Sequence, residues 1–325
     1  LAMPEPAGLL MELLQRRVVI LTGKGGVGKS TSSAAIALIA GQQGKKVLVI
    51  EVDAKGNVPD FFDTTRVGFK YRRLHQNVYG LSMQPSESMH EYLSIMLHVP
   101  KFSLNPLTGF MEYASKAIPG LKEILVTGKV YYEEKQSEGD RPRWDLVVVD
   151  GAPTGHVVSQ LGAAGHLRTL VKSGPIHDQA EQIDELLTDP ARTALVLVTI
   201  PEEMPTLETI DLAGRFAHQT GIEPRGLIIN QLQLRHLSGE VGEEFRALTR
   251  GPGAKSFLTR YPDGEPLLKA GEMLLEERAR ADHLRSLLRR TLKLATLEVP
   301  MIYQRKHGFA FTRTLARTMV ESSQA

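Results

Sequence analysis

Eight consecutive residues, Gly23-Lys24-Gly25-Gly26-Val27-Gly28-Lys29-Ser30, carry the densest chemistry in the chain. They meet the spacing G-x-x-x-x-G-K-S/T at Gly23, Gly28, Lys29 and Ser30. Glycines let a turn wrap closely, so that successive backbone N–H groups point at phosphate oxygens. A helix beginning directly afterwards adds partial positive charge at the same place. The stretch Gly23 to Thr31 is therefore a candidate phosphate cradle, with Val27 among its backbone donors. Lys29 is placed to reach β- and γ-phosphates, and the Ser30 hydroxyl to bind Mg²⁺. A plain glycine turn would not require Lys-Ser after its last glycine.

Two aspartates could complete such a site. Trp144-Asp145-Leu146-Val147-Val148-Val149-Asp150 is an apolar run ending in an acid. This is the Walker B arrangement, in which Asp150 holds Mg²⁺ through water. Asp53 follows a second apolar run, Lys45 to Glu51. Ligands of open α/β sheets bind beyond the carboxyl ends of the strands, which turns Asp53 toward the phosphates. A turn or N-cap aspartate is the plainer reading of Asp53 alone, and a turn residue that of Asn230.

The elements that must position these residues are legible in outline. Arg17 to Thr22 reads as a short buried strand and Thr31 to Ala40 as a helix, so the glycine turn lies between strand and helix. Helix ends are marked at Gly41 and Gly44. Further strands are expected at Lys45–Glu51, Val78–Met83, Trp144–Asp150, Ala194–Ile200 and Gly226–Ile229, and Leu297–Ile302 reads as a last strand or a loop beside the adenine. Their continuous apolar centres suit a parallel sheet covered on both faces. Residues 87–135 have helical spacing divided by Pro100, Pro106 and Pro119, which predicts a series of short helices. Met89, Met96 and Met111 within it read as core before they read as a groove for an apolar client. Glu133–Pro142 reads as a polar loop. Residues 241–294 read as helical, with an inward stripe of Leu284, Leu287, Leu288 and Leu292. The tail, Phe309 to Val320, reads as an amphipathic helix packed on the body.

Composition narrows the classes. The 325 residues suffice for one large α/β domain, and 42% hydrophobic with 23% charged residues is an ordinary globular balance. A net charge of +2 leaves no strong pull toward nucleic acid, and none is expected as a partner. The longest apolar runs are strand length. Residues 1–15 do not read as a signal peptide, since a basic start is missing and Glu12 interrupts the apolar run. The expected location is cytoplasmic. The absence of cysteine excludes disulfides and thiolate metal sites.

Lys24, directly after the first glycine, is surplus to the ordinary loop. A lysine here resembles the deviant Walker A group, which includes the MinD/ParA partition ATPases, the nitrogenase iron protein and the arsenite-pump ATPases. Without cysteine the iron protein's cluster has no ligands. The string Asp150-Gly151-Ala152-Pro153-Thr154-Gly155-His156 resembles the switch II D-T-A-P-T-G-H of the arsenite-pump and tail-anchored-protein targeting ATPases, departing only at Gly151. Asp53, Asn57, Asp60 and Phe62 match that family's switch I, whose Pro and His are replaced by Ala54 and Gly56. Glu202, Glu208 and Thr209 match a later segment, and Asn230-Gln231 matches its V-N-Q. In the loop near the last strand Pro300 and Gly308 fit, while Arg305 stands in place of an acid.

The resemblance implies a doubly wound, mostly parallel P-loop NTPase fold in one domain over 1–325, with the helical subdomain at about 87–135 inserted in it. It implies ATP and Mg²⁺ as cofactors and Asp53 as the residue that positions the attacking water. Lys24 would cross a dimer interface to a partner's phosphates, Asn230 would read the adenine edge by hydrogen bonds, and Pro300 would border the adenine. The partner would be an identical or a related ATPase chain. The function implied is an ATPase driving targeting or transport with a membrane partner or an apolar client. A partition-type ATPase acting on a surface and a non-hydrolysing subunit of a heterodimer are the alternatives. The thiolate arsenite site of the family's namesakes is excluded by composition.

Overall fold

The computed structural model describes residues 5–52, 58–83, 121–233, 240–249 and 252–324. Within them an eight-stranded sheet runs in the order β10-β9-β8-β1-β7-β2-β4-β3. The strands are β1 (Val18–Gly23), β2 (Val47–Glu51), β3 (Arg72–His75), β4 (Val78–Ser82), β7 (Leu146–Pro153), β8 (Thr193–Thr199), β9 (Pro224–Leu232) and β10 (Ala295–Pro300). Every pairing in it is parallel except β3 with β4. A separate two-stranded ribbon joins β5 (Ser137–Glu138) to β6 (Arg141–Pro142). The fold is thus the expected α/β class.

The apolar runs become strands because both faces are covered. One face packs on α1 (Gly8–Leu14), α2 (Lys29–Gln42) and the C-terminal α10 (Phe309–Ser323). It takes Val19, Leu21, Val47, Val49, Leu146, Val148, Val196 and Val198 from the strands. The other face takes the alternate residues Val18, Ile20, Leu48, Ile50, Val147, Val149, Leu195 and Leu197. It packs on α3 (Leu121–Lys135), α4 (Thr154–Leu170), α5 (Pro175–Thr188), α6 (Glu203–Gln219) and α9 (Glu265–Leu292). Period-two alternation with both faces buried is what continuous Val and Ile runs encode. The remaining helices described are α7 (Glu240–Thr249) and α8 (Pro252–Arg260).

The differences from expectation are local. The antiparallel edge strand β3 carries the sequence RRLH, with two exposed arginines and one buried leucine, so no apolar run announces it. The expected loop at 133–142 begins inside α3 and continues as the β5–β6 ribbon. Of the predicted helical subdomain, α3 lies among the described residues; residues 84–120, with Pro100, Pro106, Pro119 and the three methionines, lie outside them. The C-terminal helix packs as expected, burying Phe311, Leu315, Ala316, Met319 and Val320. Among the described residues no helix is long and apolar enough to cross a membrane.

α3 is held at the amino-terminal end of the sheet by charge. Glu134 is buried and receives Arg192 at 2.8 Å and Arg17 at 3.3 Å. Beside it Glu133 pairs with Lys129 at 2.8 Å and accepts the Trp144 indole N–H at 3.0 Å. These acids are compensated by cations and donors from α3 itself and from the residues leading into β1, β7 and β8, as buried charges must be.

Candidate functional site

β1 runs between β7 and β8 in the middle of the sheet and delivers the glycine turn to its carboxyl end. The turn is shaped by its neighbours. A Cβ on Gly23 would lie 2.0 Å from the Val198 carbonyl oxygen, so the chain passes β8 too closely for any side chain. Gly26 and Gly28 take φ of +87° and +95°, in the region that favours glycine. Gly28 is the N-cap of α2, and a Cβ there would lie 2.2 Å from the Asn230 side-chain nitrogen. Gly25 and Gly26 face open space. The loop therefore has backbone where a ligand approaches and no side chain in the way.

Each candidate residue can now be placed. Lys29 opens α2 and its ammonium donates to the carbonyls of Gly23 at 3.0 Å and Lys24 at 2.9 Å, folding back across the loop. Ser30 follows in the first turn, and Thr31 donates to the Gly28 carbonyl at 2.8 Å. Val27 is buried, and its carbonyl accepts from the Asn230 amide at 2.9 Å. Asn230, near the end of β9, thus braces the back of the loop with one of its two amide N–H groups. Pro300 ends β10 next to β9. Asp53 lies outside the described residues, as does Asn57.

Asp150 sits on β7 in register with Leu21 of β1, two residues before Gly23, and is buried. After it the strand continues to Pro153 and α4 starts at Thr154. The departure at Gly151 has a steric reason. A Cβ there would stand 2.5 Å from the Leu21 carbonyl oxygen, so β7 and β1 approach too closely for the threonine of the family string. Thr22 secures the same crossing by donating to the Ala152 carbonyl at 3.1 Å.

Lys24 makes a contact that the motif did not suggest. Its ammonium pairs with Glu208 of the same chain at 2.6 Å, the acid standing in the second turn of α6. Both side chains are about one-third exposed, 32% and 34%. Lys24 is thus held within its own chain rather than projecting freely. Sequence reasoning matched Glu208 to a family segment but had no signal for its partner.

The cradle fits a nucleotide triphosphate with a divalent cation on the chemistry of its donors. It offers open backbone at Gly25 and Gly26, one lysine at the loop's mouth, a hydroxyl at Ser30 and a carboxylate at Asp150. One or two carboxylates plus substrate phosphates are what Mg²⁺ ordinarily uses.

Comparison with known proteins gives the same direction. The chain matches the family model described as anion-transporting ATPase over residues 16–173 and 162–240. It is 31% identical over 229 residues to ATPase BagA of Mycobacterium tuberculosis, covering 68% of this chain and 66% of that protein. It is 27% identical over 259 residues to ATPase get3 of Schizosaccharomyces japonicus, covering 69% of this chain and 77% of that one. To the arsenical pump-driving ATPase of Acidiphilium multivorum it is 28% identical over 244 residues, 68% of this chain and 40% of the relative. The matched segment spans just under two thirds of the mycobacterial relative's length.

Proposed function

From the premise that the chain belongs to the anion-transporting ATPase family, we propose that it is a Mg²⁺-dependent ATPase that couples nucleotide turnover to a change of shape. The observation that carries this reading is the cradle: a glycine turn with φ of +87° and +95° at Gly26 and Gly28, opening onto free space and closed by Lys29. Backbone N–H groups and the start of α2 receive the phosphates. Lys29 exchanges its two loop carbonyls for phosphate oxygens, and Ser30 and Asp150 hold the cation. Bound Mg²⁺ offsets charge on the β- and γ-phosphates. Asp53 orients the attacking water in line with the scissile bond.

The finer reading is a nucleotide-sandwich dimer of identical or related chains. In it Lys24 leaves Glu208 and offsets developing charge at the partner's nucleotide. The coupled work is targeting or transport with a membrane partner. The name of the arsenical pump-driving relative supports transport over partition. In keeping with this, Phe311, Leu315, Ala316, Met319 and Val320 of α10 are buried against the body. Steady-state hydrolysis and nucleotide binding by the purified chain test the reading. Lys29→Ala is expected to abolish binding of ATP. Asp53→Asn is expected to bind ATP normally and turn over at least about a hundredfold more slowly. Undiminished turnover by Asp53→Asn would remove Asp53 from its role.

A further inference from the structure

The outer edge of the sheet at β3 concentrates positive charge. Residues 64–77 hold Arg66, Lys70, Arg72 and Arg73 and no acid, while the whole chain has a net charge of only +2. All four cations are exposed, as is Tyr71. Among the described residues none of the four pairs with a carboxylate. The Arg72 guanidinium donates to the Thr65 hydroxyl at 2.6 Å, and Arg73 Nε donates to the His75 carbonyl at 3.3 Å. Both bonds orient the side chains and leave their charge uncompensated. The edge itself is fixed in place. β3 pairs antiparallel with β4, Arg72 opposite Gly80 and Arg73 opposite Tyr79. The Gly68 carbonyl accepts the Ser82 N–H at 2.9 Å, which holds the preceding segment alongside β4. Tyr71 meets the buried Trp144 edge-on, with ring centroids 5.1 Å apart. β3 ends the strand order, so its outer side has no partner strand among the described residues.

Charge on an edge strand ordinarily keeps it from pairing with another edge. Here the charge has one sign, and that sign selects. A second copy of this edge would set arginine against arginine, and like charges directly opposite are destabilising. A strand that carries acids meets the reverse. Successive side chains point to opposite faces, so Arg72 and Arg73 offer a cation on each face of an added strand. We propose that the β3 edge docks an extended, acidic segment of another protein, which joins the sheet as a further strand. A lipid surface or a nucleic acid would use the charge but not the backbone groups of the edge, and a peptide strand uses both. The proposal is independent of the nucleotide reading.

The test is binding of a short fluorescein-labelled peptide of glutamate and valine to the purified chain, read by anisotropy. The wild type is expected to bind it and to release it as salt is raised. Arg72→Glu combined with Arg73→Glu should weaken binding at least about tenfold. Lys172→Glu combined with Lys255→Glu makes the same change of charge at exposed positions elsewhere and should bind as the wild type does. An equal loss in both double variants overturns the proposal, as does no loss in the first. Proline in place of valine keeps the peptide's charge and removes backbone donors, and that peptide should bind at least about tenfold more weakly. Equal binding of the two peptides overturns strand addition. Should Arg72→Glu with Arg73→Glu not fold by circular dichroism, Arg72→Gln with Arg73→Gln decides: weaker binding supports the proposal, and wild-type affinity overturns it. A wild-type chain that does not bind the peptide overturns it too. So does a chain that binds phosphatidylglycerol vesicles or single-stranded DNA through the same arginines more tightly than the peptide.

Discussion

Gly28 shows how narrowly one position can be specified. Its φ of +95° strains any L-residue, and a Cβ would collide with the Asn230 amide at 2.2 Å. Gly28→Ala is expected to cost about 1–3 kcal/mol of local strain. Since the strain falls on the loop, calorimetry should show it as a loss of ADP affinity larger than any change in thermal midpoint. Lys24 behaves differently. The motif announced its importance, but its contact with Glu208 joins residues far apart in sequence and depends on how α6 packs beside β1. An ion pair this exposed is worth no more than about 1 kcal/mol. Glu208→Gln should therefore release Lys24 and strengthen ATP-dependent self-association, read by sedimentation, by up to about fivefold for each of the two pairs released. An association constant equal to the wild type would mean that the pair does not restrain Lys24.

At the scale of elements, helices are anchored by devices that short sequence windows do not reveal. α10 meets the turn at Val58–Phe62 through several contacts. The Asp63 carboxylate accepts the Phe309 N–H at 3.1 Å, and the Thr312 hydroxyl donates to the Phe61 carbonyl at 2.7 Å. Phe309 also stacks on His75 with ring centroids 4.7 Å apart. Leu315 on this helix is buried against α1 and α2, and Leu315→Ala is expected to cost about 2–5 kcal/mol in urea unfolding. Between α4 and α5, Asp184 offers a pH test. Burial raises its carboxyl above the ordinary value of 3.8, Arg168 at 2.9 Å pulls it down and Glu185 adds to the rise. A raised folded-state value favours folding while the carboxyl is protonated and loses that contribution as pH climbs through it. Asp184→Asn should thus raise the thermal midpoint modestly at pH 7, and the gain should vanish on acidification below the ordinary aspartate range.

Across the whole molecule, the sheet order sets the chemistry. β1 lies inside the sheet, so the cradle it carries is walled by β7 on one side and β8 on the other. Acids at the ends of β7 and β2 then fall beside it. The proposed sandwich dimer belongs to this scale. With Asp53→Asn to stall turnover, ATP is expected to double the sedimenting mass. Adding Lys24→Ala to that variant should return it to the protomer. A stalled chain that stays at protomer mass in saturating ATP would count against the sandwich.

The sequence by itself determined the cradle, the parallel character of the sheet and the pairing of Asp150 with an apolar strand. Those features are local: a glycine spacing, a run of buried residues, a charge at a strand's end. It also made the family legible, because the switch string at 150–156 is contiguous. Only the tertiary structure decided that Lys24 rests on Glu208, that Asn230 braces Val27, that Gly151 is imposed by the Leu21 carbonyl, and that Glu51 stands beside Asp150. Each of these joins residues brought together by strand order, register or helix packing, and none is written in any one segment of the chain. The edge strand β3 escaped notice for a related reason, since its pairing with β4, not its composition, makes it a strand.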